Sequence, residues 1–318
     1  MNRAIFSSKK RKKFMTEKVL EIENLQKTYG DLEVLKWVNL SVKEWDFFAL
    51  LGHNGAGKTT IIGIMTSLVN KTWWTVKING IDIDEDFALA RTHIWVVPQE
   101  FNFDIFATVY DICFFQAGYY GIPAKLADER IEFYLKKLEL WDKRNSKARE
   151  LSGGMKRRLM IARALVHNPK ILILDEPTAG VDVELRKTMW EFIQELNKKG
   201  TTIILTTHYL EEVEQLCKNV AILSEGKIVK DSGVKELLKT LDKEVFVFDL
   251  KNELKKIPER FSPYKPELPD SQTLELTVKA WESLNHIFSI LTEKWVEVLS
   301  MRNKSNRMEQ LFIGLTKK

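Results

Sequence analysis

The segment Gly52-His53-Asn54-Gly55-Ala56-Gly57-Lys58-Thr59, continued by Thr60, constrains this chain more than any other. It reads Gly, four residues, Gly-Lys-Thr, the P-loop pattern. The apolar run Phe47 to Leu51 before it reads as a buried strand. From Lys58 onward, Ile61, Ile62, Ile64, Met65 and Leu68 mark the apolar side of a helix. A chain that turns from strand to helix through glycines can point its backbone N–H groups inward, as an anion nest at a helix N-terminus. In that context Lys58 is expected to reach the β- and γ-phosphates of a nucleotide, and the Thr59 hydroxyl to ligate Mg²⁺.

Two further segments extend the site. Ile171 to Leu174 is an apolar strand ending in Asp175-Glu176. An acid pair at a strand end is a weak signal alone, and its weight comes from following a P-loop. There Asp175 is expected to hold Mg²⁺, directly or through water, and Glu176 to polarise the attacking water as a general base. In Leu151-Ser152-Gly153-Gly154-Met155, Ser152 can cap the helix running through Lys156 to Leu165, and the glycines open backbone N–H groups to an anion. A second anion nest in a chain that already has one suggests a nucleotide held between two subunits.

Leu20 and Ile22, and Val38, Leu40 and Val42, alternate with polar residues as strands do. Further strands are expected at 171–175, 201–206 and 220–223, with helices between them, for example 183–199. This repetition predicts a largely parallel sheet with covered faces. The section from about 104 to 150 reads as polar or helical, with Leu135, Leu138 and Trp141 on one face. After Leu241 the pattern changes. Strand-like pieces at 245–248, 274–278 and 296–299, a proline-containing loop, and helices at 281–291 and 306–316 give a small α+β appendage at 245–318. No run is long enough to span a bilayer, so a membrane role would need a partner.

The chain has 49 basic and 44 acidic residues. Six of the basic ones lie before Phe14, so the body is near neutral and no specific nucleic-acid partner is expected. The first 17 residues read as a disordered basic extension without the apolar core of a signal peptide, and Met15 is a candidate start. Cys113 and Cys217 lie far apart and suit a reducing compartment.

Over about residues 18–241 the sequence resembles the ATP-binding cassette family. Beyond the P-loop, Asp175-Glu176 and Leu151 to Met155, Tyr29 matches the aromatic that stacks on adenine. Gln99 matches the Q-loop glutamine that senses Mg²⁺ and contacts the membrane domain. Ala179-Gly180-Val181-Asp182 matches the D-loop, and His208 the switch histidine at the γ-phosphate. Met155 in place of the usual glutamine and His53 where proline is common are departures of little expected consequence. The resemblance is strongest to exporter ATPases that pair with a separate six-helix permease. It rests on Ala179 to Asp182, the Gly153 to Arg158 run and the Met308 to Phe312 ending.

The resemblance implies an α/β P-loop NTPase cassette with a helical subdomain at about 104–165. It implies a peripheral position on the cytoplasmic face of the cell membrane and an ATP-dependent homodimer. In that dimer Ser152, Gly153 and Gly154 of one subunit would complete the site of the other. The permease is expected to dock on the aromatic-rich surface of Phe101, Phe103, Phe106 and Phe114 to Tyr120. A cytosolic cassette acting on ribosomes or nucleic acid is the alternative. Such proteins usually carry two cassettes or a long coiled-coil insertion, and neither is found here. A catalytically dead cassette would not be expected to keep Lys58, Asp175, Glu176 and His208 together.

The tryptophans are anomalous. The chain has 9 Trp and 15 Gly. Trp45 sits in a tight link between strands, Trp74 just before a strand, Trp95 before Val96-Val97-Pro98-Gln99, and Trp295 at a helix end where a left-handed glycine cap is common. The resembled family typically has glycine at Trp37, Trp45, Trp74 and Trp95. These five are expected to be glycines whose codons were misread, whereas Trp141 and Trp190, on helical faces, read as authentic. Trp73 and Trp281 are left unassigned.

Overall fold

The computed structural model describes residues 18–316 apart from 179, 242, 280, 281 and 305. The basic tail, Met15, Ala179 and Trp281 therefore lie outside the described residues. In chain order the elements are β1 (Lys18–Tyr29), β2 (Leu32–Lys43), β3 (Phe47–Leu51), α1 (Lys58–Met65), β4 (Trp73–Ile78), β5 (Ile81–Asp82), α2 (Phe87–Thr92) and β6 (Ile94–Val97). Then come α3 (Val109–Tyr119), α4 (Ala124–Lys137), α5 (Gly153–Leu165), β7 (Ile171–Asp175), α6 (Val183–Lys198), β8 (Thr202–Thr206), α7 (Leu210–Leu216), β9 (Asn219–Ser224) and β10 (Lys227–Gly233). The chain closes with α8 (Val234–Leu238), β11 (Lys243–Leu250), β12 (Glu267–Asp270), β13 (Thr273–Lys279), α9 (Leu284–Glu293), β14 (Val298–Asn303) and α10 (Arg307–Thr316). They form two compact units. The described part of the first holds residues 18–48, 57–206 and 225–227, and that of the second 49–56, 207–224 and 228–316.

In the first unit β6, β7 and β8 form a parallel ladder, with Val96 opposite Ile173 and Asp175 opposite Thr206. β7 is apolar over Ile171–Leu174 and buried there, which a strand covered on both faces requires. The register brings Asp175 and Thr206 out together at the end of the ladder. A separate antiparallel sheet has the order β2-β1-β4-β5. Its alternating strands bury Leu20, Ile22, Val38, Leu40 and Val42. The sequence showed these strands but not their pairing, which depends on β4 lying some 50 residues downstream of β1. The 104–150 section forms α3 and α4, which pack on each other and on α5.

Two helical expectations need correction. α1 stops at Met65, Ser67 has φ 52°, and Leu68 is 84% exposed, so Leu68 is not on the buried face. α4 stops at Lys137, and Glu139 turns the chain through φ 55°. Trp141 therefore opens a short 3-10 turn and does not share a helical face with Leu135 and Leu138.

In the second unit the end of β3 lies beside β9, with β10 beyond it. The unit begins earlier in the chain than residue 245, taking in 49–56 and 207–224 as well. Its C-terminal part is an antiparallel sheet of order β12-β13-β11-β14. This has its own core of Phe248, Phe261, Leu274, Leu276, Ile287 and Ile290, to which α9 contributes its apolar stripe. α10 packs on α7 and α8. Among the described residues no helix is long and apolar enough to cross a membrane.

Four of the five anomalous tryptophans have left-handed backbones: Trp37 at φ 58°, Trp45 at 59°, Trp74 at 82° and Trp295 at 58°. Trp95 does not. It lies in the body of β6, and its ring meets Tyr120 at 5.9 Å and His167 at 5.3 Å between centroids. An extended backbone of this kind makes no demand for glycine.

Candidate functional site

The phosphate loop begins where β3 runs out. Gly52 is required by close approach, since a Cβ there would stand 2.5 Å from the Leu223 carbonyl oxygen. Gly55 and Gly57 have φ of 81° and 111°, values that side-chain-bearing residues avoid. The Ala56 N–H donates to the His53 carbonyl at 3.1 Å, which tightens the loop. α1 then starts at Lys58 from Gly57, with no side chain capping it. The positive end of its dipole is thus not answered by a cap residue, and this suits the site to an anion. Thr59 is exposed and Thr60 half-buried.

Across the ladder, the Thr206 hydroxyl donates to Asp175 Oδ1 and fixes that carboxylate. The Glu176 N–H donates to the Thr206 carbonyl at 2.9 Å, and Glu176 leaves the strand with φ 49°. A glutamate in the left-handed region is strained, and strain of this kind gathers at working sites. Burial lowers the Lys58 pKa, and the charges of Glu176 and then Asp175 oppose that shift. The ammonium and both carboxylates therefore share one electrostatic neighbourhood, although the residues lie more than 100 positions apart in sequence.

The sequence did not single out Arg157 for a role. Its guanidinium, on a residue only 5% exposed, donates to the Pro98 carbonyl at 2.8 Å and the Gln99 carbonyl at 2.7 Å, and it lies over the Phe101 ring. Burial lowers its pKa, and the charges of Asp175 and Glu176 raise it. Arg157 thus ties α5 to the Gln99 loop. Gln99 itself is exposed. Arg158 and Arg163 act similarly, on the Leu138 carbonyl and on Asn102. The Lys156-Arg157-Arg158 run looks like a solvated basic face in sequence. The signal available was its position on a helix that, beyond this run, is apolar except for Arg163.

Ser152 caps α5, its Oγ accepting the Met155 N–H at 3.3 Å. Ser152 and Gly153 are exposed, and Gly154 lies so close to Leu185 of α6 that a Cβ would meet it at 2.4 Å. Asp182 caps α6 by accepting the Leu185 N–H at 2.9 Å. These residues are tied to one another through α6. Tyr29 is 47% exposed at the end of β1, with the Lys27 ammonium 4.7 Å from its ring centroid. His208 is exposed on the segment between β8 and α7, its ring 4.0 Å from that of Tyr209. A second contact was not foreseen. His53 Nε2 lies 2.8 Å from the Thr316 hydroxyl, and its ring 4.8 Å from that of Phe312, so α10 rests against the phosphate loop.

The loop fits a nucleoside triphosphate. Among the described residues no group of three or more His, Cys, Asp or Glu could hold a metal alone.

A model of the ABC transporter family matches residues 35–179. The linearmycin resistance ATP-binding protein LnrL of Bacillus subtilis (strain 168) is 32% identical over 308 residues, 94% of this chain and 98% of its own length. Nod factor export ATP-binding protein I of Burkholderia orbicola (strain AU 1054) is 38% identical over 221 residues, 70% of this chain and 73% of its own. A solved ATP-binding cassette, a dimer in a post-hydrolysis state bound to ADP and Pi, superposes with a TM-score of 0.62 at 28% identity, covering 68% of this chain and 98% of that one. With a glycine-rich P-loop, a strand-end acid pair and a relative matching along nearly its whole length, the chain belongs to the ABC transporter family, as an ATP-binding subunit similar to those of exporters.

Proposed function

We propose that this chain binds and hydrolyses Mg²⁺-ATP and uses the cycle to drive a separate membrane permease in export. The observation that carries the proposal is a single cavity lined by both Thr59, which follows Lys58 at the start of α1, and Asp175, which precedes Glu176. The glycine loop and the α1 N-terminus hold the phosphates, with Lys58 on the β- and γ-oxygens. Mg²⁺, bound by Thr59 and Asp175, would neutralise charge on those oxygens. Glu176 accepts the proton of the attacking water, and His208 contacts the γ-phosphate. Tyr29 stacks on the adenine.

Ser152, which caps α5, and Gly153, both exposed, bind the γ-phosphate of a second copy together with the half-buried Gly154. Two copies thus close two sites about a two-fold axis. The dimeric neighbour with ADP and Pi supports this arrangement, and the names of the relatives support export. Neither gives support to the ribosome or nucleic-acid alternative.

The permease docks beyond Gln99, at the cytoplasmic face of the membrane. Phe101, Phe106, Phe115 and Tyr119 are exposed there, at 43%, 61%, 59% and 85%. Phe101 and Tyr119 are next in sequence to Asn102 and Tyr120, which help line a cavity of about 320 Å³. Exposed aromatics in such number suit an interface core. Residues Ile112, Cys113, Gln116 and Ala117 instead form the buried side of α3. Single cysteines at Phe101 and Phe115 should cross-link to a co-expressed permease in an ATP-sensitive way. Cross-links confined to residues 243–316 would overturn this docking.

A further inference from the structure

Twelve non-glycine residues among those described have positive φ, and four of them are tryptophan. Three others, Asn24, Asn79 and Asn168, are the residue type that tolerates this conformation best. Tryptophan gains nothing from it. Trp45, Trp37 and Trp295 each occupy a backbone device whose geometry calls for glycine, and the three devices are of different kinds, while Trp74 stands out by its φ alone.

Trp45 is the third residue of the turn Lys43–Asp46, closed by the Asp46 N–H on the Lys43 carbonyl at 3.2 Å. Positive φ at that position alone defines the turn type that takes Gly or Asn there. The fold imposes the conformation. Thr202 Oγ1 accepts the Trp45 N–H at 2.9 Å, and Asn197 Nδ2 donates to the Trp45 and Asp46 carbonyls at 3.1 and 3.0 Å.

Trp37 sits in a β-bulge. Between the pairs Leu25↔Val38 and Lys27↔Leu35, β2 advances three residues while β1 advances two. The residue with left-handed backbone in such a bulge is ordinarily glycine. The opposite irregularity, where β1 carries the extra residue between Ile22 and Leu25, uses Asn24 at φ 50°.

Trp295 is the residue after the last turn of α9. Its N–H donates to the Thr292 carbonyl at 3.0 Å, and the Val296 N–H to the Leu291 carbonyl at 2.9 Å. This bond pair is the Schellman ending, whose left-handed residue is usually Gly. Trp74 in β4 is the most extreme, its φ of 82° lying outside the region open to other L-residues. All four side chains are substantially exposed, Trp295 at 90%. The Trp37 and Trp74 rings meet at 6.0 Å between centroids.

We infer that the protein made in its own cells carries glycine at positions 37, 45, 74 and 295, and that these codons are UGA. UGA means stop in most genetic codes, tryptophan in some and glycine in others. A gene read through the wrong one shows tryptophan wherever UGA stands for glycine, while glycines from other codons stay as they are. The exposed Trp37–Trp74 pair is then not a docking surface. Trp95 is not included, because its backbone makes no such demand.

The test is the nucleotide sequence together with peptide masses from the chain isolated from its source cells. UGA codons and glycine masses at all four positions are expected. UGG, or a tryptophan mass, at any one of them overturns the assignment. A second measurement bears on the strain argument alone. A recombinant chain carrying Trp37→Gly, Trp45→Gly, Trp74→Gly and Trp295→Gly should melt roughly 5–10 °C above the four-tryptophan chain. An equal or lower midpoint would overturn that argument.

Discussion

Replacing Arg157 by methionine tests how far the Gln99 loop depends on α5. Methionine keeps most of the apolar stem and removes the guanidinium. Two hydrogen bonds from a charged donor are lost, at 2.8 and 2.7 Å. Such bonds are worth roughly 1.5–3 kcal/mol each. Removing a largely buried charge, whose desolvation already lowers its pKa, recovers part of that cost. A net loss of about 2–4 kcal/mol follows, within the roughly 5–15 kcal/mol stability of a domain, so the protein should still fold. Lys58 and the glycines are untouched, so ATP affinity should stay within a few-fold. Turnover should fall by about 10–100-fold, because Gln99 loses its support. Arg157→Lys keeps the charge but not the fork, and should fall between the two. Urea melts and steady-state phosphate release measure the two effects. An Arg157→Met protein of normal stability and normal turnover would refute the reasoning.

Two further outcomes are expected. The His167 ring stacks on Tyr120, and neither of its nitrogens has a hydrogen-bond partner among the described residues. Burial pushes its pKa from 6.5 down to about 4, with Arg130 adding to the shift. The unfolded chain therefore takes up this proton first as pH falls. The stabilising effect is complete above about pH 6.5 and is lost between there and about pH 4, so near pH 5 the loss is roughly 2 kcal/mol. In urea melts His167→Phe should flatten the fall between about pH 7 and pH 5, and an equally steep fall would remove His167 from the account. The double variant Phe312→Ala, Thr316→Val releases α10 from His53, and should raise the KM for ATP several-fold with kcat little changed. A change in kcat alone would contradict the proposed contact with the phosphate loop.

What could be read in the sequence was the chemistry that residue type and spacing determine. Gly52 to Thr59, the acid pair at 175–176 and the capped glycines at 152–154 each need particular residues in a particular order, whatever surrounds them. The parallel strands were visible because a strand covered on both faces must be apolar throughout. The antiparallel pairing of β1 with β4 was not, since alternation marks a strand but not its neighbour. Arg157 was hidden because a buried arginine donating to carbonyls has the same letter as one in water. Leu68 misled because an apolar residue at the right spacing does not reveal that the helix has already ended at Met65. The tryptophans ran the other way. At Trp37, Trp45, Trp74 and Trp295 the misfit between residue and expected turn was visible in sequence, and the backbone angles bear it out. At Trp95 the expectation of glycine had no conformational basis.

The most direct test of the central claim compares ATP binding and Mg²⁺-dependent phosphate release in the wild-type chain and in Glu176→Gln. The carboxamide preserves shape and hydrogen bonding but cannot accept the water proton at neutral pH. Binding should stay within a few-fold of wild type, while turnover falls by roughly two to three orders of magnitude. Near-normal turnover in Glu176→Gln would contradict the account.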